Sequence, residues 1–192
     1  MEKKETDVQI LNKMISNEDK DTSNSRKIPK INFLENVEEW VNKYTAEKLL
    51  EGYNQYLNKF RYMEGQISKH QTGIKEKIPD LEKALESIVF LEKKQKGTEL
   101  NVDYMVSNNL WAKADVKVED SVYLWLGANI MCEYTMSEAK EVLNSNLQKA
   151  KTNIKVDEQD LDYVRDQITV CEVNIARVYN ENVKRKQAQK KK

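Results

Sequence analysis

The chain has 192 residues with Lys+Arg 32 against Asp+Glu 32, so its formal net charge is zero although 33% of its residues are charged. That balance argues against a polybasic nucleic-acid binder and against an acidic tail protein. Only 39% of residues are hydrophobic, and 5 Gly and 2 Pro are too few breakers for a sandwich, barrel or doubly wound sheet, which leaves long helix.

Residues 1–27 mix both charges with Ser, Thr, Asn and Asp around a short apolar group, Val8, Ile10, Leu11, Met14 and Ile15. Such a composition predicts a disordered segment with a helical turn or two at most, and contains no secretory h-region. From Ile31 the residues Phe33, Leu34, Val37, Trp40, Val41 and Tyr44 recur at helical spacing, with Asn32 or Asn36 as a cap. A first helix is therefore predicted over 28–96.

With Leu50 as position a, the a series runs Leu50, Leu57, Glu64, Gln71, Ile78, Leu85 and Glu92, and d runs Tyr53, Phe60, Ile67, Ile74, Leu81, Ile88 and Gln95. Apolar residues sustained at this spacing predict a coiled-coil seam, made polar in its middle by Glu64 and Gln71. Gly52, Gly65, Gly73 and Pro79 fall at b and c positions, off the seam, with a bend expected near Pro79. A second seam has Leu147, Ile154, Leu161, Ile168 and Ile175 at a, and Leu143, Ala150, Asp157, Val164, Cys171 and Val178 at d. Thr135-Met-Ser-Glu138 has the spacing of a capping box, so a second helix is predicted over 135–185. The seams match in length, each roughly 70 Å at 1.5 Å per residue, which favours one antiparallel hairpin over a parallel dimer of each arm.

Between them, over 97–134, the period changes to that of strands. Leu110-Trp-Ala-Lys-Ala-Asp-Val116, Val122-Tyr-Leu-Trp-Leu126 and Ile130-Met-Cys-Glu-Tyr134 read as strands, joined by turns at Val118–Ser121 and Gly127–Asn129, with one more strand within Asn101–Ser107. The apolar run Val122–Leu126 is far short of a bilayer span, so no membrane contact is expected. Two lone hairpins are marginal in water and would expose a broad apolar surface, so the chain is predicted to oligomerise through them. The interface residues are Leu110, Trp111, Val122, Tyr123, Leu124, Trp125, Leu126 and Ile130.

This layout, mainly α with a small β part, resembles the α-type subunits of prefoldin. Lys77-Ile-Pro-Asp-Leu81, Leu85–Lys94, Val122-Tyr-Leu-Trp-Leu-Gly-Ala-Asn129 with Glu133-Tyr134, Asp160-Leu-Asp-Tyr-Val-Arg-Asp-Gln167, Glu172-Val-Asn-Ile-Ala-Arg-Val-Tyr-Asn180 and Val183-Lys-Arg185 carry the resemblance. Among prefoldins they are most similar to the subunit 3 family, also called the von Hippel-Lindau-binding protein family. The resemblance spans most of residues 28–185. It implies a heterohexamer with one further α-type and four β-type subunits, whose hairpins assemble into an intersubunit β barrel. It also implies an ATP-independent holdase for unfolded actin and tubulin that delivers them to the cytosolic group II chaperonin.

The start of the first helix and the end of the second would meet at the arm tip. There Ile31, Phe33, Leu34, Val37, Trp40, Val41, Ile175, Val178, Tyr179 and Val183 are candidate client-binding residues, each equally able to serve as local packing.

His70 flanks the seam at g with no second catalytic or metal-ligating group specified beside it, and reads as a solvated histidine. Asp157 breaks the apolar run at d, which suits a register device. Cys132 and Cys171 form no C-x-x-C pair and read as small buried hydrophobes, reduced as in a cytoplasmic protein. No phosphate-loop, dinucleotide, zinc-protease or nucleophile-elbow motif occurs, so no enzyme, cofactor or metal is expected. The tail from Lys184 has six positive residues and no negative one, leaving the rest of this neutral chain at minus six. It is either a frayed end or a field that steers acidic partners. Two other function classes fit parts of the pattern. A nucleic-acid-binding helical arm is disfavoured by the absence of a basic stripe, and a coiled-coil scaffold or tether would need the heptads alone.

Overall fold

A computed structural model of the chain describes residues 15–16, 26 and 28–190. The elements are β1 (Ile15–Ser16), β2 (Lys30–Ile31), α1 (Val37–Lys43), α2 (Ala46–Glu92), β3 (Glu99–Ser107), β4 (Leu110–Lys117), β5 (Ser121–Gly127), β6 (Ile130–Thr135) and α3 (Met136–Lys190). They form two compact units, one holding the described residues up to Thr72 and from Ile154 onward, the other Gly73–Asn153.

In the first unit α2 and α3 run antiparallel, with Arg61 Nη2 on Glu172 Oε1 at 2.9 Å and Arg165 Nε on Glu64 Oε1 at 2.9 Å. The seam is buried as the heptads predict, through Tyr53, Leu57, Phe60 and Ile67 on α2 and Leu161, Val164, Cys171 and Val178 on α3. Burial is wider than a two-helix seam requires. Leu49 and Tyr56 at g are buried, and so is Gly52 at c. A third layer accounts for this, because Ile28, Ile31, Leu34, Val41 and Tyr44 join the same core.

That layer corrects the reading of residues 28–36 as the start of the first helix. They are not helical. Pro29 supplies no amide hydrogen, and the amides of Ile31 and Leu34 donate instead to side chains of α3. Lys30–Ile31 also pairs antiparallel with Ile15–Ser16, two residues of the segment expected to be disordered; the rest of residues 1–27 except Arg26 lies outside the described residues. After the short α1 the chain is extended at Tyr44 (φ −128°, ψ 112°) before α2 begins. Asn36 occupies the N-cap position of α1 without a side-chain cap bond. Pro79 lies inside α2, which continues past it to Glu92. Helix α3 runs to Lys190, beyond the expected end at 185.

In the second unit Lys151 Nζ meets Glu82 Oε1 and Lys140 Nζ meets Glu92 Oε2, each at 3.0 Å, so the helices are again antiparallel. The two hairpins fall where the strand period placed them. β3 pairs with β4 from Glu99↔Lys117 to Ser107↔Leu110, and β5 with β6 from Ser121↔Thr135 to Gly127↔Ile130. The second hairpin closes through Ala128 (φ 50°) and Asn129 (φ 60°), the left-handed pair of a tight two-residue turn. Helix α3 starts with the capping box read from sequence. The Thr135 amide donates to Glu138 Oε2 at 3.1 Å, and the Glu138 amide donates to Thr135 Oγ1 at 3.3 Å. The Thr135 hydroxyl, which donates to Glu138 Oε2 at 2.8 Å, and then the Thr135 amide hold the Glu138 carboxyl below its usual pKa. Among the described residues no helix is long and apolar enough to cross a membrane.

Candidate functional site: an anchored strap and two open hairpins

The first unit is organised by a polar stripe on α3. Asp160, Gln167 and Asn174 lie seven residues apart, at g beside the seam, and all three are buried. Each holds part of a strap comprising Arg26 and residues 28–34. Asp160 Oδ2 accepts from Arg26 Nε at 2.9 Å, and Gln167 Oε1 from the Ile31 amide at 2.8 Å. Asn174 Oδ1 accepts from the Leu34 amide at 3.1 Å while its Nδ2 donates to the Asn32 carbonyl at 2.9 Å. Buried amides need partners of this kind, since leaving one unpaired costs about 1–3 kcal/mol. The stripe continues with Arg177, which donates to the Glu35 carbonyl at 3.0 Å and sits 4.7 Å from the Phe33 ring centre. Beyond it Arg185 donates to Asn42 Oδ1 at 2.7 Å and to the Glu38 carbonyl at 3.1 Å, fixing α1.

Asp157 belongs to the same stripe. At 1% exposure it accepts from the Arg26 guanidinium and lies 2.7 Å from His70 Nδ1. The two residues singled out separately in the sequence thus meet, and the polar break in the seam ties α2, α3 and the strap together. His70 is exposed but partnered.

Beneath the strap, Tyr53 is fully buried and its hydroxyl makes no hydrogen bond of ordinary geometry among the described residues. Burial pushes its pKa above the usual range, the Cys171 thiol adds to the rise, and the neighbouring Asn174 side chain opposes it. Burial likewise pushes the Cys171 thiol up to about 11, with Glu172 adding to the shift. This thiol is a packing group with little thiolate character, as its d position predicts. Both cysteines are free.

The candidate client residues divide by this architecture. Ile31, Leu34, Val41 and Val178 are core, and Val37, Trp40, Ile175 and Val183 are half-buried. Only Phe33 and Tyr179 stand well exposed. The first four pack because the strap and α1 fold back along α3 instead of lengthening α2.

In the second unit the hairpins differ. On β5–β6 the inward residues Val122, Leu124 and Tyr134 pack against Ile88, Ala139 and Leu143. Tyr123 and Trp125 point the other way, Trp125 with 63% exposure, and Leu126 and Ile130 are exposed near the turn. The β3–β4 ribbon has apolar residues exposed on both faces, including Val102, Tyr104, Met105, Val106, Leu110, Trp111 and Val116. Among the described residues each hairpin is a sheet of two strands, so all four strands have an edge with no strand paired to it there. Free edges flanked by exposed aromatics invite further strands. Among the described residues no cluster of His, Cys, Asp or Glu could hold a metal ion.

An antiparallel helical hairpin carrying two small, unsatisfied β hairpins defines a class of assembling coiled-coil subunits. The profile of the family described as Prefoldin subunit matches residues 60–181. The chain is 40% identical over 162 residues to the probable prefoldin subunit 3 of Schizosaccharomyces pombe, covering 84% of this chain and 94% of that one. It is 37% identical over 173 residues to prefoldin subunit 3 of Homo sapiens, covering 86% and 88%. Filamentous PFD from Methanocaldococcus jannaschii, solved by cryo-EM, aligns with a TM-score of 0.48 at 20% identity, over 60% of this chain and 94% of that one. The chain belongs to the prefoldin family, and its function is that of a prefoldin co-chaperone subunit. Several polar residues inside the motifs that carried the resemblance, Asp160, Gln167, Asn174, Arg177 and Arg185, are the ones that anchor the strap and α1.

Proposed function

We propose that this chain assembles with one further α-type and four β-type prefoldin subunits into a heterohexamer, and that the assembly holds unfolded actin and tubulin for the cytosolic group II chaperonin. The carrying observation is the β3–β4 ribbon, with apolar residues exposed on both faces and, among the described residues, no strand paired to either edge. A ribbon of this kind is satisfied by strands of other subunits, as in an intersubunit barrel. Leu110, Trp111, Tyr123, Trp125, Leu126 and Ile130 form the assembly surface, while Val122 and Leu124 brace it from within. Client contact at the arm end falls to Phe33 and Tyr179, with Val37, Trp40, Ile175 and Val183 beside them. Weak patches on several arms bind multivalently, so release to a receiving partner needs competition and no nucleotide. No catalytic step is required, and the setting is the cytoplasm.

Native mass measured on the chain alone and then with β-type subunits tests the assembly. A six-chain particle containing two α-type subunits, one of them this chain, supports the proposal; a monomer or homodimer that ignores those subunits overturns it. Suppression of actin aggregation by the assembled particle, followed by transfer to the chaperonin, tests the second half.

A further inference from the structure

We infer that the groove between α2 and α3 in the first unit is a binding site for an extended polypeptide with an apolar residue at every third position, and that residues 28–34, latched by Arg26, are its resident, displaceable occupant. The inference rests on the holdase reading and names the client segment that reading would take.

The dimensions agree. Three residues of an extended chain with a three-residue period, as in polyproline II, advance about 9.3 Å, and seven helical residues advance about 10.5 Å. Ile28, Ile31 and Leu34, three apart, all bury in the core, while Asp160, Gln167 and Asn174, seven apart, line the path. A chain of that period therefore stays within about 1 Å of step with α3 per heptad. Gln167 and Asn174 bind the main chain of the strap, by the Ile31 and Leu34 amides and the Asn32 carbonyl. Main-chain recognition is indifferent to side-chain identity, so any extended segment with apolar residues in this period fits. The floor, Tyr53, Tyr56, Phe60, Val164 and Cys171, is apolar.

The strap is also built to leave. Its own regular structure is the two-residue pairing of Lys30–Ile31, and its charged latch is Arg26 against Asp157 and Asp160. A segment with so little internal structure opens more cheaply than the helices that hold it. Being tethered, it competes at high effective concentration, which favours clients engaged at several arms at once.

The test uses a fluorescent peptide of residues 26–36 and the full chain in three forms: wild type, a strap variant (Ile31→Asp with Leu34→Asp), and a milder latch variant (Arg26→Glu). The strap variant is expected to bind the peptide at least tenfold more tightly than wild type, with the latch variant between them, since apparent affinity scales with the open fraction. Adding Gln167→Ala and Asn174→Ala to the strap variant should abolish binding. Equal peptide affinity in all three forms, or no binding to any, overturns the site. In the assembled particle, the latch variant should suppress actin aggregation at roughly threefold lower concentration. Client capture unchanged while the peptide binds overturns displacement by client. If wild type captures no client at all, the holdase reading fails and the peptide measurement alone decides the groove.

Discussion

The two units are cut from the same pair of heptad-patterned helices yet solve burial differently. In the first, a third layer from the same chain covers the helices, so g positions and four polar side chains on α3 are buried. In the second, the helices are covered by one face of β5–β6, while the β3–β4 ribbon is exposed on both faces. Heptads specify where two helices touch. What lies over their flanks depends on whether the chain itself supplies a cover, as the strap does, or leaves the surface for another subunit.

The strongest break in this comparison comes from Asn174→Leu, which leaves the Leu34 amide and the Asn32 carbonyl without that partner. It should cost about 2–4 kcal/mol and remove hydrogen-exchange protection at Leu34, whereas a cost near zero would mean the strap does not depend on the stripe. Next, Leu124→Ser and Trp125→Ser separate the two faces of one strand. The first should destabilise the isolated chain by about 1–3 kcal/mol through lost packing. The second should leave its stability within about 0.5 kcal/mol yet prevent assembly with β-type subunits. Equal stability losses would show that Trp125 serves the chain's own fold.

A third effect is a pH dependence confined to the first unit. Burial raises the pKa of Cys171 from 9.0 to about 11 and also raises that of Tyr53. Both groups stay neutral in the folded state after the unfolded chain has begun to ionise. Their contribution is therefore full below pH 9 and declines as pH climbs towards about 11 and beyond. Denaturant midpoints across that range should fall for wild type and fall less for Cys171→Val with Tyr53→Phe; parallel curves would refute the assignment. The smallest effects are gains. Tyr53→Phe removes a buried hydroxyl that has no ordinary hydrogen bond and should raise stability by up to about 1 kcal/mol. Ala128→Gly relieves a left-handed alanine by a similar amount, about 1 kcal/mol, read as a higher midpoint for the second unit.

Much of this was legible in the chain. Steps of three and four marked both long helices, alternation marked the strands, and Thr135 with Glu138 marked the start of α3. The strap was misread for a specific reason. Ile28, Ile31 and Leu34 are spaced by three, which suits one face of a helix and equally an extended path with every third residue inward. Pro29 was the local hint against helix. The signal that could have found the strap was the run Asp160, Gln167 and Asn174, polar residues repeating by seven beside an apolar seam. A solvated flank has no need of that regularity. His70 and Asp157 were each noticed, but 87 residues separate them in the chain, and nothing local says that they meet.

By itself the sequence determined the helices, the hairpins, the antiparallel pairing and the need for other subunits, because periodicity and exposed apolar area are properties of short segments. Only the tertiary structure decided that residues 28–36 are not helical and that four of the candidate client residues are core. The partners that satisfy the Ile31 and Leu34 amides lie 136 and 140 residues further along the chain. An amide takes its hydrogen bond from whichever acceptor the fold brings to it, and here α3 supplies one where a helical turn would otherwise have done so.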